Sequence, residues 1–344
     1  MSKSIFADNT KKETVFDRNF RPKELSDYVG QEPIKEALKI AIMASKKKSS
    51  PLEHTIFYGP PGMGKTSLAS LIANEVGSKI KIIGAQAIEK PRDIIGYLLD
   101  LQAGDILFID EIHRLNKVAE ELLYPAMEDF VLDLSIGQGR MAKIKKLNLK
   151  PFTLIGATTR FSAVSSPLRS RFGHIFRLDP YRHDDISAII RRNAGKLDIE
   201  IAPDATELIT NRSRLIPRIA NMLIRRVHDY ALAHSDHESS KNLSIDVETV
   251  KKALNIYQID DMGLEPSDIR MLKLMIENYN GGPVGLQTLA AALNEDSDTI
   301  EEVHEPYLLQ IGFIQRTGKG RVVLEKGYKH LNIKPPITIK TLFD

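Results

Sequence analysis

The chain has 344 residues, which is long for one hydrophobic core, so we expect two or three domains. With 42% hydrophobic and 27% charged residues it has the composition of a soluble globular protein. No apolar run approaches the roughly 20 residues that cross a bilayer, and the first residues, MSKSIFADNTKKE, lack the apolar core of a secretion signal. The absence of cysteine excludes a disulfide framework and suits a cytoplasmic protein. A net charge of +3 is too small to indicate nucleic-acid binding, which must be argued from local clusters.

The first predicted helix carries Pro33 in its first turn and follows the stretch from Phe20 to Gln31. Ile34, Leu38 and Ile42 recur at helical spacing on one face. The pattern predicts a helix that packs on the core and ends in solvated lysines and serines before a central strand.

A strand, a loop and a helix follow in the segment HTIFYGPPGMGKTSLASLIAN, residues 54–74. Residues 55–58 are typical of a buried strand, and the residues from Lys65 onward are typical of a helix. The loop between them matches G-x-x-x-x-G-K-T, in which glycines let backbone N–H groups approach a polyphosphate. Lys65 would reach the outer phosphates and Thr66 could bind Mg²⁺. The alternative is a glycine-rich turn before an ordinary helix.

Two further elements precede the next motif. Lys79 to Ile83 is predicted to be a second strand. Pro91 to Leu101 is predicted to be a short helix whose inward residues are Ile94, Ile95, Leu98 and Leu99.

The stretch DILFIDE, residues 105–111, predicts a buried parallel strand that ends in two acids. Parallel sheets bind their ligands at the carboxyl ends of the strands. Asp110 could therefore hold Mg²⁺, and Glu111 could orient or deprotonate the attacking water. The alternative is an acidic cap on the following helix.

A helix from Asn116 to Glu128 is followed by two strand-like segments, residues 131–136 and 143–147. The glycine-rich residues 137–140 between them predict a hairpin. It could dock a partner, or it could be a surface decoration.

A third core strand, residues 152–157, runs into Thr158 and Thr159, whose hydroxyls could contact the γ-phosphate or the water, or cap a turn. The stretch SPLRSRFG, residues 166–173, is predicted to display Arg171 on a short helix outside the core. An arginine there suits transition-state stabilisation in a neighbouring subunit, although the pattern alone also fits a surface arginine.

Helical patterns dominate after Tyr181, at residues 184–196, 205–212 and 217–234, and predict a small helical lid. Arg218 lies in the first turn of the third helix, where the helix dipole disfavours a cation. It could therefore serve a phosphate, or it could be an ordinary solvated arginine.

Three helices and a hairpin from about Met262 onward predict a winged helix. Its third helix carries Glu301, Glu302 and Glu305, which would repel DNA phosphates, so we do not expect it to read the major groove. Positive charge collects instead on the wing, and only Glu325 opposes the cations Arg316, Lys319, Arg321, Lys326 and Lys329. This predicts backbone contact with little sequence preference, with protein docking as the alternative.

Taken in order, these motifs resemble those of the AAA+ ATPases, and their details are similar to the bacterial motors that drive branch migration of Holliday junctions. The resemblance covers nearly the whole chain, whereas clamp loaders share only the nucleotide motifs. It rests on residues 20–32, 52–69, 108–115, 124–130, 151–160, 166–173, 216–220 and 305–321. It implies an α/β fold with an AAA+ P-loop parallel sheet and helices on both faces, a small all-helical lid and a C-terminal winged-helix domain. The implied domains are residues 1–181, 182–254 and 255–344.

The resemblance also implies roles for matching residues. It implies that ATP is contacted by Phe20, Arg21, Gly62, Gly64, Lys65, Thr66, Ser67, Glu128, Asp129, Phe130, Arg171, Tyr181 and Arg218. Thr66 and Asp110 would bind Mg²⁺, Glu111 would act on water, and Thr158 or Thr159 would be the sensor. Arg171 would be the arginine finger, and Arg316, Lys319 and Arg321 would contact DNA.

The implied assembly is a hexameric ring around duplex DNA, with the hairpin 132–147 docking a junction-binding protein and with a resolvase as a further partner. Two departures affect partner and DNA affinity: the wing turn reads TGKG at residues 317–320, without the usual proline, and Arg140 and Met141 stand at the hairpin tip. The rival functions are a clamp-loader-like or remodelling ATPase and a nucleotide-switched DNA-binding regulator.

Overall fold

The computed structural model describes residues 19–136, 143–235 and 243–335. Its internal contacts divide the chain into two compact units, one of residues 21–185 and one of residues 186–344 together with the segment up to Phe20. Within the described ranges, no helix is both long enough and apolar enough to cross a bilayer.

The unit of residues 21–185 contains seven strands among its described residues. They are β1 (Thr55–Tyr58), β2 (Ile80–Gly84), β3 (Ile106–Asp110), β4 (Val131–Ile136), β5 (Lys143–Asn148), β6 (Thr153–Thr158) and β7 (His174–Arg177). Five of them form one parallel sheet in the order β2-β3-β6-β1-β7. The predicted parallel sheet is confirmed.

Strand β6 lies at the centre of this sheet, and all six of its residues are buried. The apolar residues of β3 are buried as well, which explains why both strands read as continuous apolar runs rather than alternating ones. The central position of β6 sets the acidic end of β3 and the loop after β1 on either side of Thr158.

Five α-helices belong to this unit within the described residues. They are α1 (Glu32–Lys48), α2 (Lys65–Val76), α3 (Pro91–Leu99), α4 (Lys117–Glu128) and α5 (Ser166–Arg169). Each matches a predicted helix, and the Asn116 side chain caps α4 by accepting the Ala119 N–H at 2.9 Å. The prediction that Leu99 points inward is wrong, because Leu99 is 49% exposed at the end of α3 while Ile94 and Leu98 are buried.

Strands β4 and β5 pair in antiparallel register from Val131 opposite Asn148 to Ile136 opposite Lys143. The predicted hairpin is therefore confirmed. Its glycine-rich turn and the tip residues Arg140 and Met141 lie outside the described residues.

The second unit begins within helix α6 (His183–Lys196) and continues, in its described residues, with helices and two small strand pairs. Its first elements are β8 (Ile199–Ile201), α7 (Pro203–Arg212), α8 (Pro217–Ala233), β9 (Leu243–Ile245) and α9 (Val247–Ile256). The three predicted helices are present. The parallel pair β8 and β9 was not anticipated, since three-residue strands are too short to give a recognisable period. The additional helix α9 was not predicted either.

The remainder of this unit is the predicted three helices and hairpin. Its elements are α10 (Pro266–Tyr279), α11 (Leu286–Leu293), α12 (Ser297–Thr299), a π-helical turn (Ile300–His304), α13 (Glu305–Gln310), β10 (Ile314–Thr317), β11 (Gly320–Val323) and α14 (Glu325–His330). A buried cluster that includes Met271, Leu289, Leu308 and Val323 joins these elements. The π-helical turn directly precedes Glu305 and was not predicted.

Candidate functional site

The carboxyl ends of three neighbouring strands meet at one edge of the parallel sheet. Tyr58, the last residue of β1, lies beside Thr158 of β6, and β6 pairs on its other side with β3, which ends at Asp110. The phosphate-loop sequence follows β1, the two acids end β3, and the two threonines end β6. Motifs that are far apart in the sequence therefore share one edge, as predicted.

The loop after β1 has the backbone that the motif requires. Gly59 and Gly64 have φ of 146° and 96°, and a Cβ at these positions would lie 3.0 Å from the Leu178 carbonyl and 2.5 Å from the Tyr28 hydroxyl. Gly64 directly precedes α2, whose N-terminus has no side-chain cap in the structure as described. Uncapped N–H groups at a helix N-terminus form a ready anion site.

Lys65 is buried at the start of α2, and its side chain turns back over the loop. Its Nζ donates to the carbonyls of Gly59 at 2.7 Å and of Pro60 at 2.9 Å. These bonds hold the ammonium against the loop backbone, where a bound polyphosphate would lie.

Two tyrosines brace the same loop from outside. The hydroxyls of Tyr28 and Tyr181 lie 2.9 Å apart, and each donates to the Met63 carbonyl, at 3.2 and 3.3 Å. Burial raises the pKa of Tyr28 well above its usual range, and the adjacent Tyr181 raises it further. No role was predicted for Tyr28 from the sequence, because its partners are more than 30 residues away.

Glu111 has a left-handed backbone with φ of 49°, directly after the end of β3. Its carboxylate accepts the Thr159 N–H at 3.2 Å and the Thr159 hydroxyl at 3.1 Å. His113 Nδ1 lies 3.2 Å from the same oxygen and 2.8 Å from the Thr158 hydroxyl. The structure thus assembles an acid, two threonines and a histidine, of which sequence reasoning missed the histidine.

The prediction that Arg171 is displayed on a short helix is wrong, because α5 ends at Arg169 and the Arg171 side chain is held by contacts within its own chain. Its guanidinium lies 4.4 Å above the Tyr124 ring and donates to the Pro167 carbonyl at 2.6 Å. Its Nε lies 3.2 Å from a carboxylate oxygen of Glu128, and the arginine side chain is 20% exposed. Because Glu128 is 54% exposed, this ion pair stands at the surface and can exchange partners.

The other predicted nucleotide contacts have simpler surroundings. Thr66 and Ser67 are half-buried in the first turn of α2, and Arg21 donates to the Ser70 hydroxyl at 3.3 Å on the same helix. Phe130 packs against His54 and Phe152, and Asp129 is the C-cap residue directly after α4.

Two residues predicted to contact nucleotide belong to the second unit. Arg218 is exposed in the first turn of α8. Phe20 is buried, and its carbonyl accepts from Arg192 at 3.3 Å and Lys196 at 3.4 Å, both on α6.

The wing hairpin β10 and β11 sets Arg316 directly opposite Arg321. One carboxylate bridges them: Glu305 accepts from Arg316 Nε at 2.7 Å and from Arg321 Nη2 at 3.2 Å, with closer contacts from Arg316 Nη2 and Arg321 Nε. Glu301 lies 3.3 Å from Arg316 as well. Glu305 is fully buried.

The prediction that a lone Glu325 opposes the wing cations is therefore wrong. Glu305 and Glu301 offset Arg316 and Arg321, and Glu325 itself pairs with Lys329 at 2.8 Å. Nor does Glu305 face DNA from the third helix, since it points into the wing. Lys319 is exposed at the turn.

A buried charge network lies beside the wing. Asp268 binds Arg214 and His304, and the His304 ring reaches Asp268 at 2.6 Å and Glu295 at 3.1 Å. Burial by itself lowers the pKa of His304, but the two carboxylates outweigh it and raise the pKa to about 9. His304 therefore carries a charge inside the unit at neutral pH.

Three family models match consecutive parts of the chain. The model described as the P-loop domain of the Holliday junction DNA helicase RuvB matches residues 20–178. The RuvB AAA lid domain matches residues 181–260, and the RuvB C-terminal winged helix domain matches residues 261–332.

Individual relatives agree with these matches. The chain is 51% identical over 318 residues to a Synechocystis protein named Holliday junction branch migration complex subunit RuvB, covering 92% of this chain and 86% of that protein. A Trichormus variabilis protein of the same name is 49% identical over 93% of this chain and 86% of its own length. A solved structure, the Thermotoga maritima RuvB Holliday junction branch migration motor, matches with TM-score 0.82 and 46% identity over 92% of this chain and all of that chain.

Proposed function

Because the chain belongs to the RuvB family of AAA+ proteins, we propose that it is the ATP-driven motor of Holliday junction branch migration. It is a P-loop ATPase that converts ATP and water into ADP and phosphate and uses the free energy to translocate DNA. The family resemblance inferred from the motifs is confirmed by the models, relatives and structures that match most of the chain.

The observation that carries this function is the convergence at the sheet edge. Three strands pair in the order β3-β6-β1, and each carries a predicted site residue at its carboxyl end. These residues are Asp110 and Glu111 at β3, Thr159 at β6, and Lys65 beyond the loop that follows β1. In our assignment Lys65 and the N-terminus of α2 bind the phosphates, and Glu111 orients and deprotonates the attacking water.

The residues present fit Mg²⁺. The described residues contain no group of three or more His, Cys, Asp or Glu side chains that could hold a metal by themselves. Mg²⁺ needs no such cage, since it commonly binds one or two protein oxygens together with phosphate and water. The Thr66 hydroxyl and the Asp110 carboxylate supply those oxygens, and the ion would neutralise charge that develops on the phosphates.

Thr159 is the better candidate for the sensor threonine. Its N–H and hydroxyl both bind Glu111, the residue that we assign to the water. Thr158 is buried and bonds to His113, so it holds the histidine beside Glu111. A sensor that touches the water-activating acid can report the state of the γ-phosphate to it.

Arg171 acts in a neighbouring subunit, in our proposal, and so requires a ring, which we take to be a homo-hexamer. Its partial exposure and its exchangeable partner Glu128 support this role.

We assign the hairpin of residues 132–147 to docking of a RuvA-like junction-binding protein. A RuvC-like resolvase would act on the same junctions.

The C-terminal wing contacts duplex DNA with little base preference through its exposed cations Arg316 and Lys319, whereas Arg321, also predicted as a contact, is only 13% exposed. The proposed domains are the ATPase domain at residues 1–181, the lid at residues 182–254 and the winged helix at residues 255–344. Arg218 of the lid is proposed to contact phosphate. We propose a cytoplasmic location, which the lack of cysteine suits.

The function is tested by ATP turnover and by strand exchange on a synthetic four-way junction with the junction-binding partner present. Lys65→Ala should reduce turnover by roughly 10²-fold or more, because it removes a preorganised donor to the phosphates. Lys48→Ala, which removes an exposed lysine at the end of α1, should leave turnover unchanged. If ATP turnover of the wild-type protein does not respond to junction DNA, and no strand exchange occurs, the clamp-loader-like ATPase or the nucleotide-switched regulator is favoured instead.

A further inference from the structure

We propose that Glu305 is a positioning residue of the DNA-contacting wing, whose carboxylate orients Arg316 toward phosphate and makes Arg321 an internal brace. This inference rests on the proposed function, since it concerns how the wing meets DNA. It assigns the two arginines different tasks, although both were predicted as DNA contacts from the sequence.

The need for Glu305 follows from the register of the wing. Arg316 and Arg321 are direct cross-strand partners, and like charges that face each other destabilise a hairpin. Glu305 binds both guanidinium groups with its two oxygens and so turns this repulsion into a bridge. Charge-assisted bonds of this kind fix orientation as well as position.

Burial separates the tasks of the two arginines. The Glu305 side chain is 0% exposed and that of Arg321 is 13% exposed, so this pair is enclosed in the wing. The Arg316 side chain is 45% exposed and keeps one face toward solvent. Of the two arginines, only Arg316 can reach a phosphate without first breaking a buried ion pair, which is costly.

The backbone at Glu305 is itself fixed. The preceding residue, His304, is buried and binds Asp268 and Glu295 through its two ring nitrogens. These bonds anchor the turn from which Glu305 projects, so its carboxylate has a set position to which the arginines must adapt.

Glu301 provides a matched contrast. It lies 3.3 Å from Arg316 and is 32% exposed, whereas Glu305 is fully buried. In our interpretation Glu301 competes with DNA for Arg316, whereas Glu305 positions it. An exposed contact of this kind contributes little to stability.

The experiment compares Glu305→Gln with Glu301→Gln in the full-length protein, using fluorescence anisotropy of a labelled duplex across a salt series. Both changes remove one negative charge from the wing, so simple attraction predicts that both tighten DNA binding. We expect Glu305→Gln to weaken binding roughly tenfold and to reduce the salt slope by about one unit per subunit, because Arg316 loses its orientation. Glu301→Gln should leave affinity unchanged or raise it. Equal changes in the two variants would overturn the proposal.

A second pair of variants separates positioning from loss of fold. Thermal unfolding of Glu305→Gln is compared with that of the double variant Glu305→Gln/Arg321→Met, which also removes the opposed charge. Recovery of the unfolding midpoint without recovery of the DNA affinity in the double variant supports the proposal, because Arg316 still lacks the carboxylate that orients it. Recovery of the DNA affinity together with the midpoint contradicts it. A wild-type protein that does not bind duplex at all would instead count against the proposed function.

Discussion

Two glutamate-held arginine sites occupy different regions of this molecule. In the unit of residues 21–185, Arg171 is paired with Glu128, which is 54% exposed. In the wing, Arg316 and Arg321 share Glu305, which is 0% exposed. Both sites pair arginine with glutamate, but the burial of the glutamate distinguishes them.

The difference matters because the cost of separating an ion pair depends on burial. An exposed ion pair stabilises the folded protein by about 0.2–1 kcal/mol, whereas removing one partner of a buried pair destabilises it by roughly 3–5 kcal/mol. Arg171 can thus leave Glu128 for a phosphate in each catalytic cycle. The wing pair is suited to hold one geometry throughout.

The largest effect is expected at Arg171, which belongs to the exposed ion pair. Arg171→Ala should reduce ATP turnover roughly 10³-fold, because a finger arginine stabilises charge on the transferred phosphoryl group. Nucleotide binding, measured with a fluorescent ATP analogue, should remain. Arg177→Ala removes an exposed arginine on β7 and serves as the control.

Mixing Arg171→Ala with Lys65→Ala protein sharpens the same test. If the finger acts across a subunit boundary, mixed rings contain some sites with both an intact phosphate loop and an intact finger. Partial recovery of turnover is expected, and no recovery at any mixing ratio would refute action across the boundary.

The next effect concerns buried charge near the wing. The His304 pKa is raised to about 9, so its stabilising contribution is complete below the unfolded pKa near 6.5 and is lost as pH rises through 9. Between pH 6.5 and pH 9 the loss of this contribution should lower the free energy of unfolding by roughly 3 kcal/mol. Urea unfolding followed by circular dichroism at pH 6.5, 8 and 9.5 would measure it.

His304→Gln should abolish most of that pH dependence. His234→Gln, at the exposed end of α8, should retain it. An unchanged pH profile in His304→Gln would mean that the Asp268 and Glu295 contacts do not hold a charged histidine.

The smallest effect is expected at Glu128. Glu128→Gln should change turnover only a few-fold, because the exposed pair that it weakens contributes under about 1 kcal/mol. The measurement is kcat in assembled rings, compared with Glu121→Gln on the same helix as control. A loss as large as that of Arg171→Ala would show that Glu128 itself acts on the nucleotide and would end the comparison with Glu305.

Much of the fold was predictable from local pattern. The order of strand, glycine loop and helix at residues 54–74, the acidic strand end and the winged helix all follow from motifs and apolar periods. Leu99 was misassigned because a helical period cannot tell where a short helix ends. The strands β8 and β9 were missed because three residues carry no period.

Contacts between distant segments were out of reach. Tyr28 braces a loop more than 30 residues away, and Glu305 reaches arginines 11 and 16 residues further on. The wing cations were predicted to be opposed by Glu325 alone, because the sequence shows which charges are near in the chain and not which are near in space.

The sequence by itself determined the chemistry of this protein: a phosphate loop, a pair of acids, threonines and arginines in an order that local rules can recognise. The tertiary structure alone decided which of those groups touch and which are buried. Short-range geometry is written in neighbouring residues, whereas the environment of a charge depends on packing between segments that the chain brings together only when it folds.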